Sequence, residues 1–445
     1  MPLPSRTDRD LLARCLVCRM QAPGEQMELM KSTDVFTPQQ IPTVTLVTDH
    51  LSEMSKTYKR AIPQGKLIRV VGPSKSGKTV FIQSAAGDGN IISITGAGVT
   101  SPDILWTRVL HAIGSDVAVA TERSESKGGG YKVGTKVEGS VFVAKADASG
   151  ELSRDRGSSA AVTQDKAVDL YQLVVQELAG SGLTIFVDDF HYVPSEVQVS
   201  LARQIKQAVQ AGVQIAAAAV PFRSEDVLRA NDDLQGRIED FDFKYWSSTE
   251  LVRIAKLGFV ELNINCSEAY ALRLASEAAG SPQLMQSLCL ETCFALDVDE
   301  KSDQSKDIPD NEDFFTLVCS RVAAGVDFST TISVMKDGPL TRGSARKAYV
   351  LHDGTAADVY QILVRAIALD PPSLHFSYAE MQSRVASVCN GAAPHFADPC
   401  SHMARLVNDR FEADKIDWDA ELHMLSIRDP YLLFGVRWGR GAPPR

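Results

Sequence analysis

Through the first half of the chain, apolar stretches of strand length alternate with amphipathic stretches of helix length. Leu67, Ile68, Val70 and Val71 form a nearly continuous apolar run, and so do residues 90–95, 183–187 and 213–220. Runs with few polar interruptions are what a strand buried on both faces requires. Between them, the segment opening Val80-Phe81-Ile82 and residues 102–113, 167–178 and 196–210 carry helical spacing, with Pro102 in a first turn. Residues 34–65 read as a short extended entry followed by a helix docked beside the first strand. Residues 240–246 alternate polar and aromatic side chains and read as a last short strand. Strands and helices in this alternation predict an α/β fold built on a parallel sheet.

The alternation breaks over residues 115–165, which are rich in Gly, Ser, Lys and Asp. Inside this insertion Tyr131, Val133, Thr135, Val137, Val141 and Val143 recur with period two between glycine-rich arms, the pattern of a β-hairpin. Such an insertion serves either as an oligomer or partner contact or as mobile decoration. Residues 1–33 show no period and read as a flexible extension. Residues 34–246 form the expected α/β core, 247–299 a helical unit, 300–370 a charged linker with further helices, and 371–438 a last domain. Within that last domain, helices over 378–388 and 397–411 precede two strands around 417–428, the order of a winged helix.

Composition narrows the class. A chain of 445 residues with 23% charged residues is long enough for two to four domains of ordinary soluble character. Its net charge of -10 speaks against non-specific nucleic-acid binding by the whole molecule. The last 75 residues carry eight Lys/Arg against nine Asp/Glu, poor provision for neutralising phosphates. No stretch approaches the ~18 consecutive apolar residues of a membrane span, and the N-terminus lacks the layout of a signal peptide. Eight scattered cysteines fit a reducing cytoplasm, and Cys15-Leu16-Val17-Cys18 stands alone without a second metal-binding pair.

The chemistry is concentrated after the first strand. Gly72-Pro73-Ser74-Lys75-Ser76-Gly77-Lys78-Thr79 is a complete G-x-x-x-x-G-K-[ST] phosphate-binding loop between a strand and a helix. Its glycines let successive N–H groups point at phosphate oxygens at the positive end of the helix. Lys78 would reach the β- and γ-phosphates of ATP, and the Thr79 hydroxyl would ligate Mg²⁺. The run 183–187 delivers Asp188 and Asp189 to the C-terminal edge of the sheet, where Asp188 would hold Mg²⁺ and Asp189 would orient or deprotonate the attacking water. Arg223 follows the next strand at the same edge, and Arg237 precedes the last one. Each is either a cation for phosphate or a solvated surface residue.

Together these residues resemble the AAA+ and STAND branches of P-loop ATPases, from Val35-Phe36-Thr37-Pro38 to about residue 290 and more weakly to the C-terminus. The resemblance implies an ASCE-type P-loop NTPase sheet, a helical lid over 247–299, and a C-terminal helical and winged-helix region. It is nearest in kind to bacterial orphan ATPases of mobile-element and defence neighbourhoods, and more distantly similar to origin-recognition initiators and transposon target-selection ATPases. It implies a STAND-like sensor arginine at Arg223 and an arginine finger at Arg237 acting on a neighbour's nucleotide, hence a homo-oligomer. In Gly280-Ser281-Pro282-Gln283, Pro282 matches the lid motif that closes on the nucleotide, while Gln283 stands where initiators carry arginine. That departure implies slow hydrolysis and a switch that signals to a protein effector. A DNA-binding initiator is the alternative.

Replacing Lys78 by Ala is expected to abolish nucleotide binding. An unchanged ATP affinity in titration calorimetry would remove the site assignment.

Overall fold

The computed structural model describes residues 30–87, 89–115, 169–219, 236–341, 343, 345–411 and 414–443. The expected hairpin at 131–143 with the rest of the insertion from 116 to 165, the Cys15–Cys18 pair, Arg223 and most of the 1–33 extension lie outside these residues. Of that extension, residues 30–33 are described: Ser32 is buried and donates its hydroxyl to the carbonyls of Val298 and Asp299, both at 2.8 Å.

Strands β1 (Leu67–Val71), β2 (Ile91–Thr95), β3 (Thr184–Asp188), β4 (Gln214–Ala219) and β5 (Ile238–Asp242) make one sheet in the order β2-β3-β4-β1-β5, with every neighbouring pair parallel. β4 therefore separates the strand that feeds the phosphate loop from the strand that ends in Asp188. The period of two assigns each strand's side chains to two cores. Leu67, Ile185, Val187, Ile215 and Ala217 face one side, and Ile68, Val70, Phe186, Ala216 and Ala218 face the other. On the first side lie α3 (Pro102–Ala112), α4 (Leu170–Leu178) and α5 (Ser195–Gln210), which bury Trp106, Val174 and Ile205. On the second lie α1 (Ser52–Ala61) and α2 (Lys78–Ala86), which bury Tyr58 and Phe81. The result is the three-layer α/β sandwich of a P-loop NTPase, with the ASCE strand order that the sequence led us to expect.

One element differs from its sequence reading. The last strand begins at Ile238 and ends at Asp242, not at Trp246. Beyond Phe243, whose N–H still bonds Val71, the Trp246 N–H turns to the Gly280 carbonyl at 3.0 Å. Tyr245 and Trp246 thus lie off the sheet, packed against the C-terminal unit and the lid.

Three capped helices make the lid. In α6 (Ser248–Glu261) Ser247 and Glu250 form a capping box, while Ser267 and Ser281 cap α7 (Glu268–Glu277) and α8 (Pro282–Ala295). Phe36 of the entry segment packs into this unit at Gly258, where a Cβ would come within 2.2 Å of the phenyl ring. The helix α9 (Glu312–Ala324) joins the same core through Phe315, Val318 and Cys319, alongside Cys289 and Cys293.

The C-terminal unit contains α10 (Ser329–Asp337), α11 (Val359–Ala368), β6 (His375–Ser377), α12 (Tyr378–Val388), α13 (Ala397–Phe411), β7 (Ile416–Asp419) and β8 (Met424–Ile427). Its small sheet runs β6-β8-β7, all antiparallel, and β7–β8 form the wing. A final helix, α14 (Pro430–Trp438), has two apolar faces. Tyr431 and Phe434 enter the lid core, and Leu432, Leu433 and Val436 enter the winged-helix core. Between those faces Arg437 is fully buried. Its guanidinium donates to Glu277 of α7 at 2.7 and 2.9 Å, to Asp370 at 2.6 Å and to the carbonyls of Ala368 and Leu369. Among the described residues no single helix is long and apolar enough to cross a membrane.

Breaking a buried ion pair by removing one partner leaves an uncompensated charge. Glu277→Ala is therefore expected to cost about 3 kcal/mol, read as a lower midpoint in urea denaturation. A loss near zero would show that Glu277 does not join lid to winged helix.

Candidate nucleotide site

Parallel register brings the chemistry to one edge of the sheet. Val71 lies opposite Ala219 and Asp242, and Thr95 lies opposite Asp188. The loop leaves β1 at Gly72, where a Cβ would stand 2.4 Å from Cβ of Phe243, so no larger residue fits. Gly77 takes a left-handed φ of 91° and lets α2 begin at Lys78 with its first N–H groups turned to the loop. Lys75 also has a positive φ, 62°.

Lys78 is buried and bent back into the loop, donating to the carbonyls of Gly72 at 2.9 Å and Pro73 at 2.8 Å. Burial pulls its pKa down, while Asp188 and Asp189 pull it up. Beside it, the N–H groups of the loop at the start of α2 make a concavity suited to an anion. The Thr79 hydroxyl donates to Asp188 Oδ2 at 2.6 Å, and Asp188 Oδ1 accepts from the Asp189 N–H at 2.9 Å. Two hard oxygens converging beside a phosphate cradle fit Mg²⁺, which takes one or two protein oxygens and keeps the rest of its shell for phosphate and water.

Asp189 has a left-handed φ of 53°. The turn is possible because Gly96 carries no side chain, since a Cβ there would meet the Asp189 carbonyl at 2.5 Å. Burial first, and then the neighbouring Asp188, raise the Asp189 pKa, and Lys78 partly offsets them. A carboxyl with that shift at the cavity wall is suited to accept a proton.

The loop is touched from three directions. Trp246 donates its indole N–H to the Ser76 carbonyl at 3.0 Å. Its ring and Pro282, the first residue of α8, both lie within 3.8 Å of where a Cβ of Gly77 would stand. From the C-terminal unit, Asp429 forms an ion pair with Lys75 at 3.1 Å, and Lys75 sits 4.1 Å above the Tyr431 ring. Burial pushes the Tyr431 phenol up to about 12. Tyr245 donates its hydroxyl to the Arg428 carbonyl at 2.9 Å. These surfaces enclose a cavity of about 1280 Å³ between the loop, the two acids, the entry segment, the lid and the C-terminal unit.

Lys78, Thr79, Asp188, Asp189 and Pro282 all line this cavity, together with Pro73, Ser74, Lys75 and Gly77 of the loop; Gly72 and Ser76 complete the cradle behind them. Gln283 lines it too and donates to Gln39 at 3.4 Å. Arg237 is elsewhere. It is exposed before β5, with its carbonyl bonded to the Leu67 N–H, at the opposite end of the sheet from the loop. The sequence reading missed Trp246, Gly96 and the pairing of Lys75 with Asp429. Glycine directly after a strand was a signal for Gly96, whereas partners 354 residues apart left none.

No family model matches the chain, and no curated protein matches it. Among solved structures, a Walker-type ATPase of Pyrococcus abyssi is 14% identical, with a TM-score of 0.47 over 86% of this chain and 94% of that one. The ORC2 protein of Aeropyrum pernix, solved as ADPNP–ADP complexes, is 13% identical, with a TM-score of 0.45 over 92% and 97%. Cdc6p from Pyrobaculum aerophilum is 13% identical, with a TM-score of 0.41 over 91% and 96%. At such identities and scores the fold class rests on the strand order and the phosphate loop, not on these neighbours.

A carboxyl whose pKa is raised by folding favours the protonated native state. In the nucleotide-free protein, Asp189 thus lowers stability as pH rises from the ordinary carboxylate range through its raised native value, and the penalty persists at neutral pH. Asp189→Asn is expected to raise the melting temperature at pH 7 and to leave it unchanged at pH 3. Equal shifts at both pH values would contradict this.

Proposed function

We propose that this protein is an ATP-binding switch of the AAA+/STAND type, a slow ATPase that couples nucleotide state to its C-terminal unit and to self-assembly. One observation carries the reading: Lys75 of the phosphate loop is ion-paired to Asp429, the N-cap of the helix shared by lid and winged helix. A triphosphate entering the loop changes the field around that pair directly. In this reading the loop N–H groups and Lys78 hold the phosphates. Thr79 and Asp188 hold Mg²⁺, which when bound neutralises charge on the β- and γ-oxygens. Asp189 orients and deprotonates water. Gln283 supplies no cation where initiators have one, which favours holding ATP over turning it over.

Arg223 is proposed as the sensor at the γ-phosphate. Arg237, exposed at the far end of the sheet, is proposed to reach the nucleotide of a neighbouring copy. The protein effector and a role in antiviral defence or a mobile element rest on the sequence resemblance alone. The DNA-binding alternative is disfavoured by the acidity of the wing, which carries Asp417, Asp419 and Glu421.

The full-length protein is expected to increase in mass with a non-hydrolysable ATP analogue and Mg²⁺, measured by light scattering, and Lys78→Ala is not. Asp429→Ala should assemble at lower analogue concentration, because the loop is freed from the C-terminal unit. A mass independent of nucleotide in all three proteins would sink the switch reading.

A further inference from the structure

The turn that follows β2 supports both acids and is itself held from behind. Thr95, the last residue of β2, lies opposite Asp188. The next N–H, that of Gly96, donates to the Asp188 carbonyl at 2.7 Å. A Cβ on Gly96 would come within 2.5 Å of the Asp189 carbonyl oxygen and 3.1 Å of the Phe190 Cα, so the turn lies directly against the backbone of Asp189. Within the turn, the Ala97 N–H donates to Thr95 Oγ1 at 3.2 Å and the Val99 N–H to the Gly96 carbonyl at 3.2 Å.

Behind the turn stands Arg108 of α3. Its Nη1 donates to the Thr95 carbonyl at 2.9 Å and to the Ala97 carbonyl at 2.8 Å, the two carbonyls that flank Gly96. Gly98 leaves room for the guanidinium, since a Cβ there would stand 3.1 Å from Nη2. The base of this clamp is rigid: Leu105, Trp106 and Val109 of the same helix are fully buried in the core on that face of the sheet. A charged donor with fixed planar geometry holds carbonyls more firmly than a neutral one does. Neither Arg108 nor any of residues 95–98 lines the cavity, so the guanidinium is placed to act through the turn and not on a ligand.

We propose that Arg108 is a positioning residue for ATP hydrolysis. By clamping the 95–97 turn it fixes the backbone of Asp189, and with it the carboxyl that handles the attacking water. The phosphate loop is built on β1 and α2, with β3 and β4 between it and β2. The clamp therefore governs turnover and not phosphate binding. This assignment rests on Asp189 being the group that orients water in the proposed ATPase.

The test measures phosphate release, and affinity for a non-hydrolysable ATP analogue with Mg²⁺, in full-length variants. Small displacements of a positioned group are costly, so Arg108→Ala should lower kcat roughly tenfold while leaving the analogue Kd within about twofold. Its melting temperature should stay near that of the wild type, because the two freed carbonyls can turn to water. Arg108→Lys still offers a charged donor and should recover part of the loss. In an Asp189→Asn background, where turnover is already reduced, Arg108→Ala should remove little more, since residues that act as a unit are not additive. Unchanged kcat in Arg108→Ala, an equal loss of analogue binding, or full additivity with Asp189→Asn would overturn the positioning role and leave the ATPase reading standing. A wild type that binds the analogue yet releases no phosphate from ATP would remove hydrolysis itself, and the role of Arg108 with it. Full turnover in Asp189→Asn would likewise take the acid, and hence its clamp, out of the reaction.

Discussion

Parallel pairing on both sides of β1 is the constraint on which the site depends. Because β4 and β5 run with β1 and in register with it, Val71, Ala219 and Asp242 end at one level. β3 is carried by β4 to the same edge, and Asp188 arrives beside Thr79 although β1 and β3 do not pair with each other. A slip of one residue in β3 would turn Phe186 and Asp188 to the wrong faces, since side chains alternate with period two. The burial of Ile185, Phe186 and Val187 opposes that slip, so the hydrophobic cores on the two faces set the geometry of the Thr79 and Asp188 oxygens.

The second level of organisation is the coupling of this edge to the rest of the chain. Trp246 and Pro282 bring the lid against Gly77, and α14 brings the winged helix against Lys75. α14 cannot move with one unit and not the other, because its two faces are buried in both cores and Arg437 is paired between them. Lid and winged helix are therefore joined through α14. The Lys75–Asp429 pair is partly solvated and is worth little as stability. Its importance is positional, since it is a charge contact within the phosphate loop itself.

Much of the core was legible from local pattern. The runs at 67–71 and 183–187 are apolar because both faces of their strands are covered, and the Gly-Lys-Thr turn is local chemistry that needs no distant partner. Helices α12 and α13 begin and end where the sequence pattern placed them. Legibility failed at 243–246, where an alternating aromatic pattern signalled a strand. Phe243 still packs in the core of the sheet, but Tyr245 and Trp246 pack against the C-terminal unit and the lid, and period two cannot tell these partners apart.

By itself, the sequence determined the α/β class, the phosphate loop with Lys78 and Thr79, and the acids at 188 and 189, because each depends on neighbours within a few residues. Only the tertiary structure decided that Asp429 pairs with Lys75, that Arg437 joins Glu277, and that Trp246 caps the loop at Ser76. Such pairs are set by how separately folded units pack. Packing is a property of surfaces assembled from distant segments, and no local spacing encodes it.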